Sequence, residues 1–82
     1  MILSKRQARA AKTAIEAIDN AGGIAKATFP TVENARIVVF EHSDKVDGMP
    51  TITVLRYDSR GEVADMENYA DLLHFAKAYG VS

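Results

Sequence analysis

Two stretches decide the fold of this chain, ARIVVFEH at residues 35–42 and TITVLRYD at residues 51–58. β-Branched and aromatic residues fill both stretches, which is typical of strands in a pleated and half-buried surface. Between them, residues 43–50 supply Ser, Asp, Gly and Pro, the residue types that favour turns. The two stretches therefore predict a β-hairpin against which the remaining elements pack.

A helix of about four turns is predicted before the hairpin. Ser4 and Gln7 have the spacing of a capping box, and Gly22-Gly23 marks the end of the helix. Small residues dominate its apolar side, which consists of Ala8, Ala11, Ala14, Ile15 and Ile18. We expect this side to lie close against the element that it covers.

A second helix is predicted after the hairpin. We place its start at Asp65 or Asn68 and its end at Tyr79, with Gly80 as a glycine cap. The expected apolar stripe consists of Tyr69, Leu72, Leu73, Ala76 and Tyr79.

Two short strands are predicted beside the hairpin. Residues 24–29 alternate apolar and polar side chains before Pro30, which is typical of an edge strand. Residues 62–64 follow a tight turn at 58–61 and extend the hairpin by a strand. The expected fold is one α+β domain over residues 1–82, in the order helix, antiparallel meander of three or four strands, helix.

Length and composition narrow the classes of function. The chain has 82 residues and no cysteine, which excludes disulfides, thiolate metal sites and a cysteine nucleophile. No apolar run reaches the roughly 18 residues that a membrane-spanning helix needs. The basic start of the chain lacks the apolar core of a signal peptide. We therefore expect a cytoplasmic protein that does not enter a membrane.

The residue types that catalysis and metal binding require do not converge in the sequence. The serines lie at cap, turn or terminal positions, and none is in a Gly-x-Ser-x-Gly elbow. His42 lies near Glu41, Asp44 and Asp47, but a calcium loop needs alternating oxygen ligands and a final glutamate, which this loop lacks. We expect no enzyme activity, no metal site and no cofactor.

Charge is divided unevenly along the chain. Residues 1–30 carry five basic against two acidic residues, and residues 31–82 carry five basic against nine acidic residues. The first helix carries four cations: Lys5, Arg6, Arg9 and Lys12. Lys5, Arg6 and Arg9 crowd the helix N-terminus, where the helix dipole disfavours positive charge. This basic surface is a candidate contact for an acidic protein or for the phosphates of a nucleic acid.

Period-two alternation gives the hairpin two faces, and each has an apolar centre. One face carries Ile37, Val39, Ile52 and Val54, and the other carries Val38, Phe40, Leu55 and Tyr57. If both helices cover one face, the other remains as an exposed apolar patch of the kind that marks partner surfaces. One helix on each face would hide both. The candidate partner-binding residues of the sheet are Val38, Phe40, Leu55 and Tyr57.

Residues 17–27 resemble the first helix and turn of a helix-turn-helix DNA-binding protein, because a glycine-containing turn follows a helix. Such a protein needs a recognition helix next, and Phe29-Pro30 interrupts that segment before it completes two turns. Specific reading of the major groove is therefore not expected.

These observations favour a non-enzymatic binding protein that occupies a surface of a larger protein or complex, as an inhibitor or regulator does. The alternative is a nucleic-acid-binding accessory protein that uses the basic first helix. A homodimer through an open sheet edge or face is a third arrangement. Small cysteine-free chains of this sort fit products of phages or mobile elements, although no residue indicates the source.

Overall fold

The computed structural model describes residues 1–43 and 46–82 and contains two helices and one sheet. Helix α1 spans Lys5–Asn20 and helix α2 spans Leu72–Tyr79. The strands are β1 (Lys26–Pro30), β2 (Arg36–Glu41), β3 (Ile52–Tyr57) and β4 (Val63–Tyr69). They pair antiparallel in chain order, with β1 and β4 at the edges. The predicted α+β order of helix, meander and helix is confirmed.

The β2–β3 hairpin forms the centre of the sheet, as predicted. Val39 lies opposite Val54 and Glu41 lies opposite Ile52, so the residues of one face meet across the two strands. The core joins this face to both helices and includes Ile37, Val39, Ile52, Val54, Ala8, Ala11, Ile15, Phe75 and Ala76. Both helices therefore cover the same face of the hairpin, which settles the question that the sequence leaves open.

Helix α1 starts where the sequence predicts. The Ser4 hydroxyl accepts from the Gln7 amide at 3.2 Å, and the Gln7 side-chain oxygen accepts from the Ser4 amide at 3.0 Å. This reciprocal pair is a complete capping box. Ile18 departs from the prediction, since it is 36% exposed. Its side chain instead covers Gly23, where a Cβ would come within 2.8 Å of Ile18 Cγ2.

Strand β4 occupies a segment that we expected to be largely helical, so the predicted helix start at Asp65 or Asn68 is wrong. The Ala, Met and Glu of this segment favour a helix on their own. Pairing with β4 satisfies the backbone N–H and C=O groups of β3, which would otherwise form an open edge of the sheet. The ladder runs from Ile52 opposite Tyr69 to Tyr57 opposite Val63, with a bulge near its end. Long-range pairing has overridden local preference.

Helix α2 is consequently shorter than predicted and starts after a different cap. Asp71 is extended, and its Oδ1 atom accepts from the His74 amide at 2.9 Å. This is the hydrogen bond of a helix N-cap. At the other end Gly80 is left-handed with φ 65°, and buried Val81 follows it. The glycine cap is confirmed.

The buried side of α2 also differs from the predicted stripe. Phe75, Ala76 and Tyr79 face the core, whereas Leu73 is 74% exposed. Tyr69 belongs to β4 and reaches α2 across the core, with its ring centroid 5.5 Å from that of Phe75. Phe75, Ala76 and Tyr79 are spaced so that they share one face of the helix, and Leu73 lies beside that face.

A polar cluster joins the first residues of the chain to β4 and α2. The Tyr79 hydroxyl accepts from the Ile2 and Leu3 amides at 3.2 and 3.3 Å and donates to Glu67 Oε1. The Tyr69 hydroxyl donates to the same oxygen at 3.1 Å. Burial, and then the hydrogen bond to Glu67, raise the pKa of Tyr79. The hydroxyl therefore stays protonated and holds three segments together.

Replacing Tyr79 with Phe should lower the free energy of unfolding by about 1–2 kcal/mol, because the two amides and Glu67 lose a shared partner. Tyr57→Phe is the matched control, since within the described residues the Tyr57 hydroxyl makes no hydrogen bond. Urea unfolding of both variants measures the difference. Equal losses in the two variants would contradict the structural role of the Tyr79 hydroxyl.

The cap of α2 should make stability depend on pH. Hydrogen bonds from the His74 amide, and then from its ring, lower the pKa of Asp71 from its ordinary value near 3.8. A carboxylate whose pKa is lower in the folded state stabilises the fold above its unfolded pKa, and this contribution is lost as the pH falls through the folded pKa. Asp71→Ala should therefore destabilise the protein near neutral pH.

The stability difference between wild type and Asp71→Ala should shrink as the pH is lowered through the range below 3.8. Urea unfolding at a series of pH values measures it, with Asp47→Ala in the exposed β2–β3 loop as the matched control. A difference that stays constant down to the most acidic condition would show that the Asp71 charge contributes nothing.

Candidate functional site

Because both helices cover one side of the sheet, its other side faces solvent. We call this side the open sheet face. By alternation and pairing along the strands its residues are Lys26, Thr28 and Pro30 from β1, Arg36, Val38 and Phe40 from β2, Thr53, Leu55 and Tyr57 from β3, and Val63, Met66 and Asn68 from β4. The four sheet residues predicted as partner-binding all lie on this face.

The centre of the open sheet face is apolar. Val38 lies between Thr28 and Leu55 in the register and keeps only 4% of its exposure, so it forms the floor of the face. Phe40, Leu55 and Tyr57 are half-buried and supply the apolar surface around that floor.

Met66 extends the apolar surface onto β4, and sequence reasoning missed it. It lies opposite Leu55 and is 60% exposed. The sequence predicts a helix that starts at Asp65 or Asn68, within the same segment. The signal that could have found it is the alternation of Met66 and Asn68 with Asp65 and Glu67, which separates uncharged from acidic residues with a period of two.

The charges of the strands are segregated between the two faces of the sheet. Lys26 and Arg36 belong to the open sheet face and are exposed. The strand carboxylates belong to the helix side: Glu41, Asp65 and Glu67. There Arg56 Nε donates to Asp65 Oδ2 at 2.9 Å. Within the four strands, all of them described, the open sheet face carries cations and no carboxylate.

Arg36 is held in place by its neighbour. Its guanidinium carbon lies 5.1 Å from the centroid of the Tyr57 ring, directly across the β2–β3 ladder. Such a cation–π contact orients the guanidinium and leaves its N–H groups available. A groove of about 350 Å³ lies beside this pair, and its border includes Ile24, Lys26, Val38, Phe40 and the buried Glu41.

A row of hydrogen bonds crosses the other end of the face. Thr53 Oγ1 donates to Asn68 Oδ1 at 2.8 Å and lies 2.6 Å from His42 Nε2. With the Thr53 hydroxyl donating to Asn68, Thr53 Oγ1 accepts from His42 Nε2 in the tautomer that carries its proton there. The Phe40 ring packs on His42 with centroids 4.9 Å apart. The row fixes these side chains.

The predicted basic surface lies on α1, on the opposite side of the sheet from the open sheet face. Lys5, Arg6 and Arg9 are exposed on the outer side of the helix, and none forms an ion pair among the described residues. Lys12 differs, because its ammonium group pairs with Glu16 one turn later. The two predicted sets of partner-binding residues therefore form two separate surfaces.

Metal ligands do not cluster anywhere in residues 1–43 and 46–82. Asp44, which we considered beside His42 as a ligand, lies outside the described residues. In the same described ranges no helix has the length and apolar character needed to cross a membrane. Comparisons with protein-family models, with curated proteins and with solved structures found no match to the chain.

Proposed function

We propose that this chain is a non-enzymatic cytoplasmic binding protein that occupies a surface of a larger protein through its open sheet face. One observation carries the proposal: both helices pack on one side of the sheet, so no helix covers Phe40, Leu55, Tyr57 and Met66 on the other side. Single exposed apolar side chains are ordinary, whereas a continuous apolar set on one face is typical of a partner surface.

The dimensions of the face suit a small interface. Four strands spaced about 4.8 Å apart, each of about five to seven residues, give a face of roughly 15 by 20 Å. Such a face, about 300 Å² on each partner, corresponds to weak and transient protein–protein interfaces, which bury less than about 1,200 Å² in total. At this size, the free energy gained by burying apolar surface is little more than the free-energy cost of association. The polar side chains at the rim must therefore provide specificity.

Inhibition or regulation by such a chain requires only that it cover a surface of its target. The sheet and the helices share one core, and the Tyr79–Glu67 cluster ties the first residues to it. A face held this way is already in its binding conformation, so little conformational entropy is lost on association.

The second candidate function is nucleic-acid binding through α1. It is supported by the exposed Lys5, Arg6 and Arg9, which project from one helix face. Three cations give few phosphate contacts, and such binding weakens steeply with salt. The pairing of Lys12 with Glu16 reduces the basic surface further.

The two surfaces can be separated by Met66→Glu on the open sheet face and Arg9→Glu on α1, both at exposed positions. Tagged wild-type and variant proteins are expressed in native host cells, and the proteins that they retain are quantified. We expect a partner whose recovery falls about tenfold or more with Met66→Glu and is unchanged with Arg9→Glu. Thermal unfolding confirms that both variants are folded. The reverse pattern of recovery would contradict the proposal.

Fluorescence anisotropy with a random-sequence DNA duplex tests the second candidate. We expect no binding by the wild-type protein at physiological salt, because three exposed cations make few phosphate contacts. The double variant Arg6→Glu with Arg9→Glu is the control for any binding seen at low salt. Binding that survives physiological salt and disappears in the double variant would make α1 the functional surface.

A further inference from the structure

We propose that the open sheet face binds an acidic segment of its protein partner, with one apolar side chain of that segment seated in the groove beside Arg36. This inference rests on the proposed function and adds the chemistry of the partner.

Charge complementarity selects an acidic partner. Lys26 and Arg36 are the charged strand residues of the open sheet face, and the three strand carboxylates lie on the helix side. An acidic segment would meet two cations, and the one carboxylate residue that borders the groove is Glu41, which is only 5% exposed. A basic segment would meet like charge at both ends of the groove, which costs affinity and disfavours the wrong partner.

The spacing of the two cations suggests the pattern of the segment. Lys26 lies opposite Phe40, and Arg36 lies opposite Pro30, so the cations are offset by four positions along the paired strands. Four residues of extended chain span about 13 Å. An extended segment with acids at its first and fifth positions therefore matches the two cations. Its third position points to the same side and faces the groove between them.

The groove accepts an apolar side chain at that third position. Val38 forms its floor, Phe40 and Tyr57 form its walls, and Ile24, which is 59% exposed, stands at its rim. Its volume of about 350 Å³ is sufficient for a leucine or phenylalanine side chain. Burying such a side chain removes apolar surface of both partners from water, which favours binding.

Arg36 is prepared for a carboxylate. Its contact with the Tyr57 ring fixes the guanidinium before binding, and the planar fork donates two parallel hydrogen bonds to a carboxylate. A single-stranded nucleic acid would instead need free aromatic faces on which bases stack. Here Arg36 covers the Tyr57 ring, and His42 packs against Phe40. The face favours an acidic peptide over a nucleic acid.

Selection from a random peptide display library on the full chain tests the proposal, followed by anisotropy with labelled selected peptides. We expect an apolar residue flanked at two positions on either side by Asp or Glu. Affinity should fall about tenfold or more with Arg36→Glu and stay unchanged with Arg9→Glu, which makes the same charge change on α1. Replacing the acids of the peptide with Lys should restore part of the binding to Arg36→Glu.

Peptides that bind wild type but not Phe40→Ala, without acidic residues and without a response to Arg36→Glu, would overturn the acidic-segment proposal and leave the proposed function standing. A selection that returns no peptide sensitive to Phe40→Ala or to Arg36→Glu would count against both the acidic-segment proposal and the proposed function. Binding of a labelled oligothymidine that is lost with Arg36→Glu would assign the face to single-stranded nucleic acid and would also overturn the proposal. Because Arg36 is exposed, its substitution keeps the fold.

Discussion

The burial of one face of the β2–β3 hairpin under both helices is the constraint on which the rest of the structure depends. A chain of 82 residues can support one modest core. Val39 and Val54, paired at the centre of the sheet, are fully buried in it, together with Ile15 of α1 and Phe75 of α2. A helix on each face would have divided the same apolar residues between two smaller cores, each with a larger exposed boundary.

Two helices can share one face because the sheet is wide enough for both and because the buried surface of α1 consists largely of small side chains. Helices pack about 8–10 Å apart, and four strands span about 15 Å. Ala8 and Ala11 are fully buried and carry the smallest side chains that still favour a helix, so α1 lies close to the sheet. Strand β4 widens the sheet on the side where α2 packs. The open sheet face is thus a consequence of how the core is assembled.

The features predicted correctly from the sequence depend on residues close together in the chain, whereas the features that were missed depend on pairing with another strand. The capping box of Ser4 and Gln7 and the β-branched runs of β2 and β3 act within a few residues, so the α1 start and the hairpin could be placed. The conformation of Met66 and Glu67 depends on pairing with β3, about ten residues earlier in the chain. Misplacing β4 hid Met66 from the predicted site and left the choice of covered face undecided.

The positive charge of the open sheet face follows from the same packing of the core on one side of the sheet. Carboxylates on the helix side have partners there: Asp65 pairs with Arg56, and Glu67 accepts from Tyr69 and Tyr79. Acidic side chains that serve the fold are thereby removed from the surface available to a partner. A chain with a net charge of −1 can then present a face whose strand charges are all positive. Net charge describes the average, whereas recognition depends on which side of each strand a charge occupies.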